Sequence, residues 1–99
     1  MSQSAAMRRD KTSEVMATRG LVLLRMGRLD EAIVQYTAAI KAQPQAAPAL
    51  YGRGLAQLQK GAKAQGEADI AAAAAIAPGL AAEYRRLGLA PDGAPAAKS

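Results

Sequence analysis

The chain repeats itself with a period of 34 residues. Residues 13–46 lie over residues 47–80 without a gap. They share Arg19/Arg53, Gly20/Gly54, Leu21/Leu55, Leu24/Leu58, Gly27/Gly61, Ala38/Ala72, Ala39/Ala73 and Pro44/Pro78. A repeat of this length is one supersecondary unit that cannot bury its apolar face alone, so its copies must stack. The identities fall at the punctuation of a helical hairpin. Gly20 and Gly54 lie inside the first helix of each unit, where glycine costs about 1 kcal/mol relative to alanine. Paying that cost twice at one period implies a close helix approach at that point. Gly27 and Gly61 end the first helix in the left-handed conformation that glycine tolerates. Pro44 and Pro78 stop the second helix, since proline has no N–H to donate and clashes with the preceding turn. Pro48 suits the first turn of the helix that follows.

Composition points the same way. Hydrophobic residues make up 51% of the chain, yet there is no Trp or Phe and only three Tyr. A core built largely of alanine gains stability by bringing backbones together, which suits helix-on-helix packing. Ala, Leu, Met, Gln, Lys and Arg are also strong helix formers. The fold class is all-α.

With the punctuation in place, each unit resembles the tetratricopeptide repeat, a 34-residue helix–turn–helix with the pattern W-x2-L-G-x2-Y, then A-x3-F, then P. The first unit reads Met16-x2-Arg19-Gly20-x2-Leu23, then Ala32-x3-Tyr36, then Pro44. The second reads Leu50-x2-Arg53-Gly54-x2-Gln57, then Gly66-x3-Ile70, then Pro78. A third start, Tyr84-x2-Leu87-Gly88, breaks off at Pro91. Most large aromatic positions are substituted, and Gly66 replaces the usual alanine. The resemblance implies antiparallel helical hairpins stacked as a short right-handed α-solenoid of about five helices.

The expected organisation is a disordered tail over residues 1–10, a repeat domain over 11–90 and a flexible tail over 91–99. Within the domain, repeat one spans 13–46, repeat two 47–80 and a capping helix 79–88. The first helix is expected from Lys11 to Met26, capped by Thr12 or Asp10, and the second from Leu29 to Gln43 with Ala32, Ile33, Tyr36, Ala39 and Ile40 as its buried stripe. The fourth, Lys63 to Ala77, holds the alanine run 71–75, leaving Ile70 and Ile76 to carry much of its burial. In the cap, Tyr84 and Leu87 are expected to face inward. Two units and a cap fall below the usual three repeats of a stable stack. Either the cap suffices or another chain covers the open end near residues 13–26, so a homo-oligomer is one expected solution.

In the family that the units resemble, the first helix of each hairpin lines a concave side that grips a peptide or helix of a partner protein. The resemblance carries this role to Ala17, Leu21, Leu24 and Arg25 in unit one and to Tyr51, Leu55, Leu58 and Gln59 in unit two. Arg85 continues the stripe in the capping helix, the start of a third unit. Each set of four has i, i+4, i+7, i+8 spacing and shares a helix face. Tyr51 is the expected anchor, because Tyr is common at binding hot spots. Two readings stand: the stripe is a partner-binding groove of a scaffold or adaptor, or it packs within this small fold and the chain is a structural, self-associating repeat. The family's clamp for a C-terminal carboxylate uses Asn beside basic residues, and this chain has no Asn.

Other functions find little support. With no Cys and no His, thiol nucleophiles, imidazole bases and the commonest metal ligands are missing, and no metal, cofactor or small-molecule substrate is expected. Asp30, Glu31, Glu67 and Asp69 are expected at helix starts, where the helix dipole explains them. No phosphate-binding glycine loop is present, and the chain is read as non-catalytic. The net charge of +5 is spread along the sequence, and three dispersed Tyr make no stacking platform, so nucleic acid is not the expected partner. The apolar run 21–24 is far too short for a membrane span. We expect a cytoplasmic protein, or a periplasmic one if a leader has been removed.

Overall fold

The computed structural model describes the backbone of residues 2–89 and the side chains of residues 12–89. Five helices follow one another: α1 (Ser2–Arg25), α2 (Leu29–Ala42), α3 (Ala47–Lys60), α4 (Lys63–Ile76) and α5 (Leu80–Arg86). No strand occurs among the described residues. The chain is a stack of two helical hairpins, α1/α2 and α3/α4, with α3 laid on α2 and α5 at the far end.

The glycines and prolines set the path. Gly27 and Gly61 have φ of 82° and 94°. Behind each, the backbone closes the same pair of hydrogen bonds. Arg28 N donates to the Leu23 carbonyl at 2.9 Å and Gly27 N to Leu24 at 3.0 Å. Ala62 N likewise donates to Gln57 at 2.8 Å and Gly61 N to Leu58 at 3.0 Å. This double closure satisfies carbonyls that a helix end otherwise leaves open. At the other boundaries Gln43 and Ala77 precede prolines and leave helical geometry, with φ/ψ of −145°/94° and −135°/86°.

The two ends of the helical array differ most from expectation. The first helix begins at Ser2, so residues 2–10 are helix where a disordered tail was expected, and neither Asp10 nor Thr12 is an N-cap. Helix formers such as Ala5, Ala6, Met7, Arg8 and Arg9 sustain a helix without any apolar period. The capping helix is shorter than 79–88. Gly88 matches the mid-helix Gly54 by period, yet it takes φ of 83° and ends α5, with Leu89 N donating to the Tyr84 carbonyl at 2.9 Å. It does the work of Gly27 and Gly61. The flexible tail expected over 91–99 lies outside the described residues.

The core runs through both hairpins: Leu24 from α1, Ala32, Tyr36 and Ala39 from α2, Leu50, Tyr51 and Leu55 from α3, Ala73 from α4, and Leu80 and Tyr84 from α5. Tyr36 is its largest wedge. A Cβ at Gly20 would meet the Tyr36 ring at 2.9 Å, and one at Gly52 would overlap its phenol end. The ring is thus held between α1 and α3. The second hairpin closes differently. Gly54 and Gly66 face each other across α3 and α4 so closely that a Cβ on either would lie 2.7 Å from the other's carbonyl oxygen. Gly66 therefore departs from the usual alanine for a steric reason. The expected stripe on α2 holds, with Ile33 and Ile40 packed against the core at its edge. Ile76 and Leu87 do not face inward and are exposed; Gly66, Ala73 and Leu80 are buried at that end instead.

Candidate functional site

The nine residues of the expected binding stripe divide into three groups. Leu24, Tyr51 and Leu55 belong to the core, and Tyr51 is only 1% exposed. Its ring meets that of Tyr84 at 4.8 Å and 57°, beneath the hydrogen bond from the Tyr84 hydroxyl to the Pro48 carbonyl at 3.3 Å. As folded, Tyr51 presents no surface to a ligand and serves as the seat for the cap. Ala17, Leu21 and Leu58 are half-buried, and Leu58 packs over Gly66. Arg25, Gln59 and Arg85 are exposed. The helical spacing sets each group of four on one helix face, but α5 covers that face at Tyr51 and the α3/α4 contact takes up Leu58.

What remains open lies between the middle of α1 and the N-terminal end of α3. There a cleft of about 620 Å³ runs between the two helices over the turn that joins α2 to α3. Ser13, Glu14, Ala17 and Thr18 form one wall, and Ala47, Pro48 and Ala49 the other, with Gln43, Gln45 and Ala46 along the turn. Of the nine expected residues, only Ala17 lines it. The volume is in the range of sites that hold small ligands or peptide side chains. The walls are short because each helix places alanines there, which permits a backbone to come close. Ser13 is buried and donates its hydroxyl to the Ala39 carbonyl at 3.1 Å, fixing α1 to α2 at the cleft edge. Thr18 donates to the Glu14 carbonyl at 2.9 Å. Glu14 is the one charged side chain in the lining. The period marks Glu14 and Pro48 as equivalent, a signal in the sequence that could have brought both into the stripe.

The carboxylates are explained by pairing more than by helix starts. Asp30 and Glu31 do occupy the first turn of α2. Asp69, by contrast, lies well inside α4 and accepts two hydrogen bonds from the Arg53 guanidinium, at 2.7 and 3.1 Å. Arg53 also donates to the Thr37 hydroxyl at 3.4 Å, so one side chain ties α2, α3 and α4 together. Bidentate geometry of this kind, partly shielded from water, is the stronger class of ion pair. Lys60 pairs with Asp30 across α3 and α2. All three tyrosines are buried, which denies their rings to nucleic-acid bases. Burial pushes the Tyr84 phenol up to about 12 and that of Tyr36 higher still. Among the described residues no acidic cluster could hold a metal ion, and no helix is long and apolar enough to cross a membrane.

A family model for the tetratricopeptide repeat matches residues 18–81. No curated protein and no solved structure matches the chain.

Proposed function

Because the chain belongs to the tetratricopeptide repeat family, whose members generally mediate protein–protein interaction and are typically non-catalytic, we propose that it is an adaptor that takes a segment of a partner protein in the cleft between α1 and α3. The cleft itself carries this reading. Its floor of alanines and Pro48 admits an extended backbone, and Glu14, Thr18, Gln43 and Gln45 offer hydrogen-bonding groups along it. The exposed Arg25 and Gln59 lie on the same two helices, beyond the cleft, and the exposed Arg85 lies on α5. Buried Tyr51 and Leu55 act by holding α3 and α5 in place, so substitutions there report on folding rather than on binding.

The test fills the cleft and leaves the core alone. Ala17→Trp should block a partner segment sterically, and Glu14→Lys should reverse the only charge in the lining. Each variant and the parent protein are used to capture partners from a lysate of the source cell, with circular dichroism to verify the helices. Loss of the same retained protein in both variants supports the cleft. Identical retention by all three proteins would count against it.

A further inference from the structure

The outer side of α1, which borders the cleft at Thr18, carries Val15, Val22 and Met26 at 50%, 52% and 60% exposure, with Thr18 and Arg19 between them. Their spacing sets them along one helix face. The 34-residue period maps these five onto Ala49, Gly52, Arg53, Ala56 and Lys60 of α3. On α3 that face is covered by α2. Tyr36 lies against Gly52, Thr37 accepts from Arg53, Asp30 pairs with Lys60, and Ala49 and Ala56 are fully buried. The molecule therefore shows what such a face receives: an antiparallel helix.

A second observation marks the same face. Thr12, Val15, Met16 and Arg19 surround a depression of about 230 Å³. Four residues at i, i+3, i+4 and i+7 are the hole into which a knob of a facing helix inserts. The register fixed by Thr37–Arg53 and Asp30–Lys60 brings Ile40 of α2 to the corresponding level of α3.

We propose that this face of α1 docks an antiparallel amphipathic helix of a different protein, one that seats an aliphatic side chain in the Thr12–Val15–Met16–Arg19 depression and sets a carboxylate against Arg19. The substitutions between the two faces define the occupant. Thr18 stands where α3 has Gly52, so an aromatic wedge like Tyr36 does not fit at that level. Met26 replaces Lys60 and asks for an apolar neighbour instead of Asp30. Arg53 is held by Asp69, but the residue equivalent to Asp69 in the first unit is Gln35, and Arg19 has no ion pair among the described residues. Helices of this chain suit the position poorly. In a second copy α2 carries Tyr36 and is covered by α3. Its α4 has only Ala71 and Ala74 where the period places the carboxylate and the aliphatic knob, and its α1 would bring its own Arg19 with no carboxylate on this face. Nor does a repeat-type turn deliver the helix, because α1 runs unbroken through residues 9–12, the counterpart of the 43–46 turn.

The probe is a dye-labelled peptide of residues 28–44 carrying Asp30→Leu, Tyr36→Ala and Thr37→Glu, kept helical by a lactam bridge on its solvent side. Fluorescence anisotropy against the intact protein should give saturable binding. Val22→Asp and Arg19→Glu in the protein should each weaken it about tenfold, as loss of a central interface contact does. A peptide with Thr37→Lys in place of Thr37→Glu should restore binding to the Arg19→Glu protein. The unmodified segment, with Tyr36 intact, should bind far more weakly. Absence of saturable binding overturns the proposal. So does binding that ignores Val22→Asp, since the peptide would then be replacing α2. Sedimentation supplies the remaining outcome: an oligomer dissolved by Val22→Asp would make the face a contact between copies and overturn the assignment to a different protein. None of these variants lies in the cleft lining, so failure here leaves the cleft reading intact.

Discussion

The two hairpins share a period and a path but are filled in opposite ways. Between α1 and α2 the space is occupied by one large side chain: Tyr36, fully buried, wedged between Gly20 and Gly52. Between α3 and α4 no comparable side chain exists. Ile70 stands where the first hairpin has Tyr36, and the gap closes by backbone approach at Gly54 and Gly66, reinforced by Arg53 and Asp69. A repeat thus fixes where the helices run and leaves open whether side-chain volume or backbone contact fills the space between them. The second solution buries less. In α4 only Gly66 and Ala73 are buried, against Ala32, Tyr36 and Ala39 in α2. The end of the stack is its weaker half.

The largest test of this difference is a pair of truncations at equivalent positions. Tyr36→Ala removes a wedge that α2 sets between α1 and α3, and should cost about 3–5 kcal/mol, as for large aromatic truncations in cores. In a domain this small such a loss consumes much of the total stability. Ile70→Ala, in a partly buried position, should cost about 2 kcal/mol, the low end for aliphatic truncations. Denaturant titration followed by circular dichroism measures both. Equal losses would mean that Tyr36 is no special wedge and that the two hairpins are filled alike.

A smaller effect of opposite logic is expected at Gly66. Alanine is better than glycine in a helix by about 1 kcal/mol, and the equivalent residue of the first hairpin is already Ala32. At Gly66, however, the added Cβ would lie 2.7 Å from the Gly54 carbonyl oxygen, a backbone atom that cannot swing aside. Overpacking of this kind costs about 1–3 kcal/mol, so Gly66→Ala should destabilise on balance. A gain in the same titration would show that the helices do not rely on this approach.

These positions also mark what could be read from the sequence. The turns at Gly27, Gly61, Pro44 and Pro78 were legible because their conformations are set locally, by a positive φ or a missing N–H. Gly88 was legible only as the end of the cap; its positive φ was masked because its period matches the mid-helix Gly54. Across α4, five consecutive alanines carry no apolar period, and nothing in them tells which side faces inward. Tyr51 sits on the expected helix face, but its burial comes from Tyr84, which lies in a separate helix. The Arg53–Asp69 pair likewise spans a hairpin and has no counterpart in unit one. Residues of the cleft were partly visible through Ala17. Glu14 and the turn at Gln43 and Gln45 become neighbours only once α3 is laid on α2.

The finest distinction concerns one oxygen atom. The Tyr36 hydroxyl is buried and has no hydrogen-bond partner, so the ring supplies the packing while the hydroxyl carries a desolvation cost. Tyr36→Phe keeps the wedge and should raise stability at neutral pH by about 1 kcal/mol, the reverse of Tyr36→Ala. Ionisation gives an independent reading of the same atom. Burial raises the folded-state pKa of Tyr36 and takes that of Tyr84 to about 12, both above the ordinary value of 10.0. A raised tyrosine pKa means that the folded state favours the neutral phenol. Its contribution is fully present below pH 10 and is lost as the pH climbs from there toward the folded-state value. The protein should therefore unfold on the alkaline side of pH 10, with phenolate absorbance and loss of helix appearing together. Tyr36→Phe should move that transition to higher pH, because one of the groups driving it is gone. If the substitution instead lowers neutral stability and leaves the alkaline transition in place, the hydroxyl has a partner, and hairpin one is held by a polar contact as hairpin two is by Arg53.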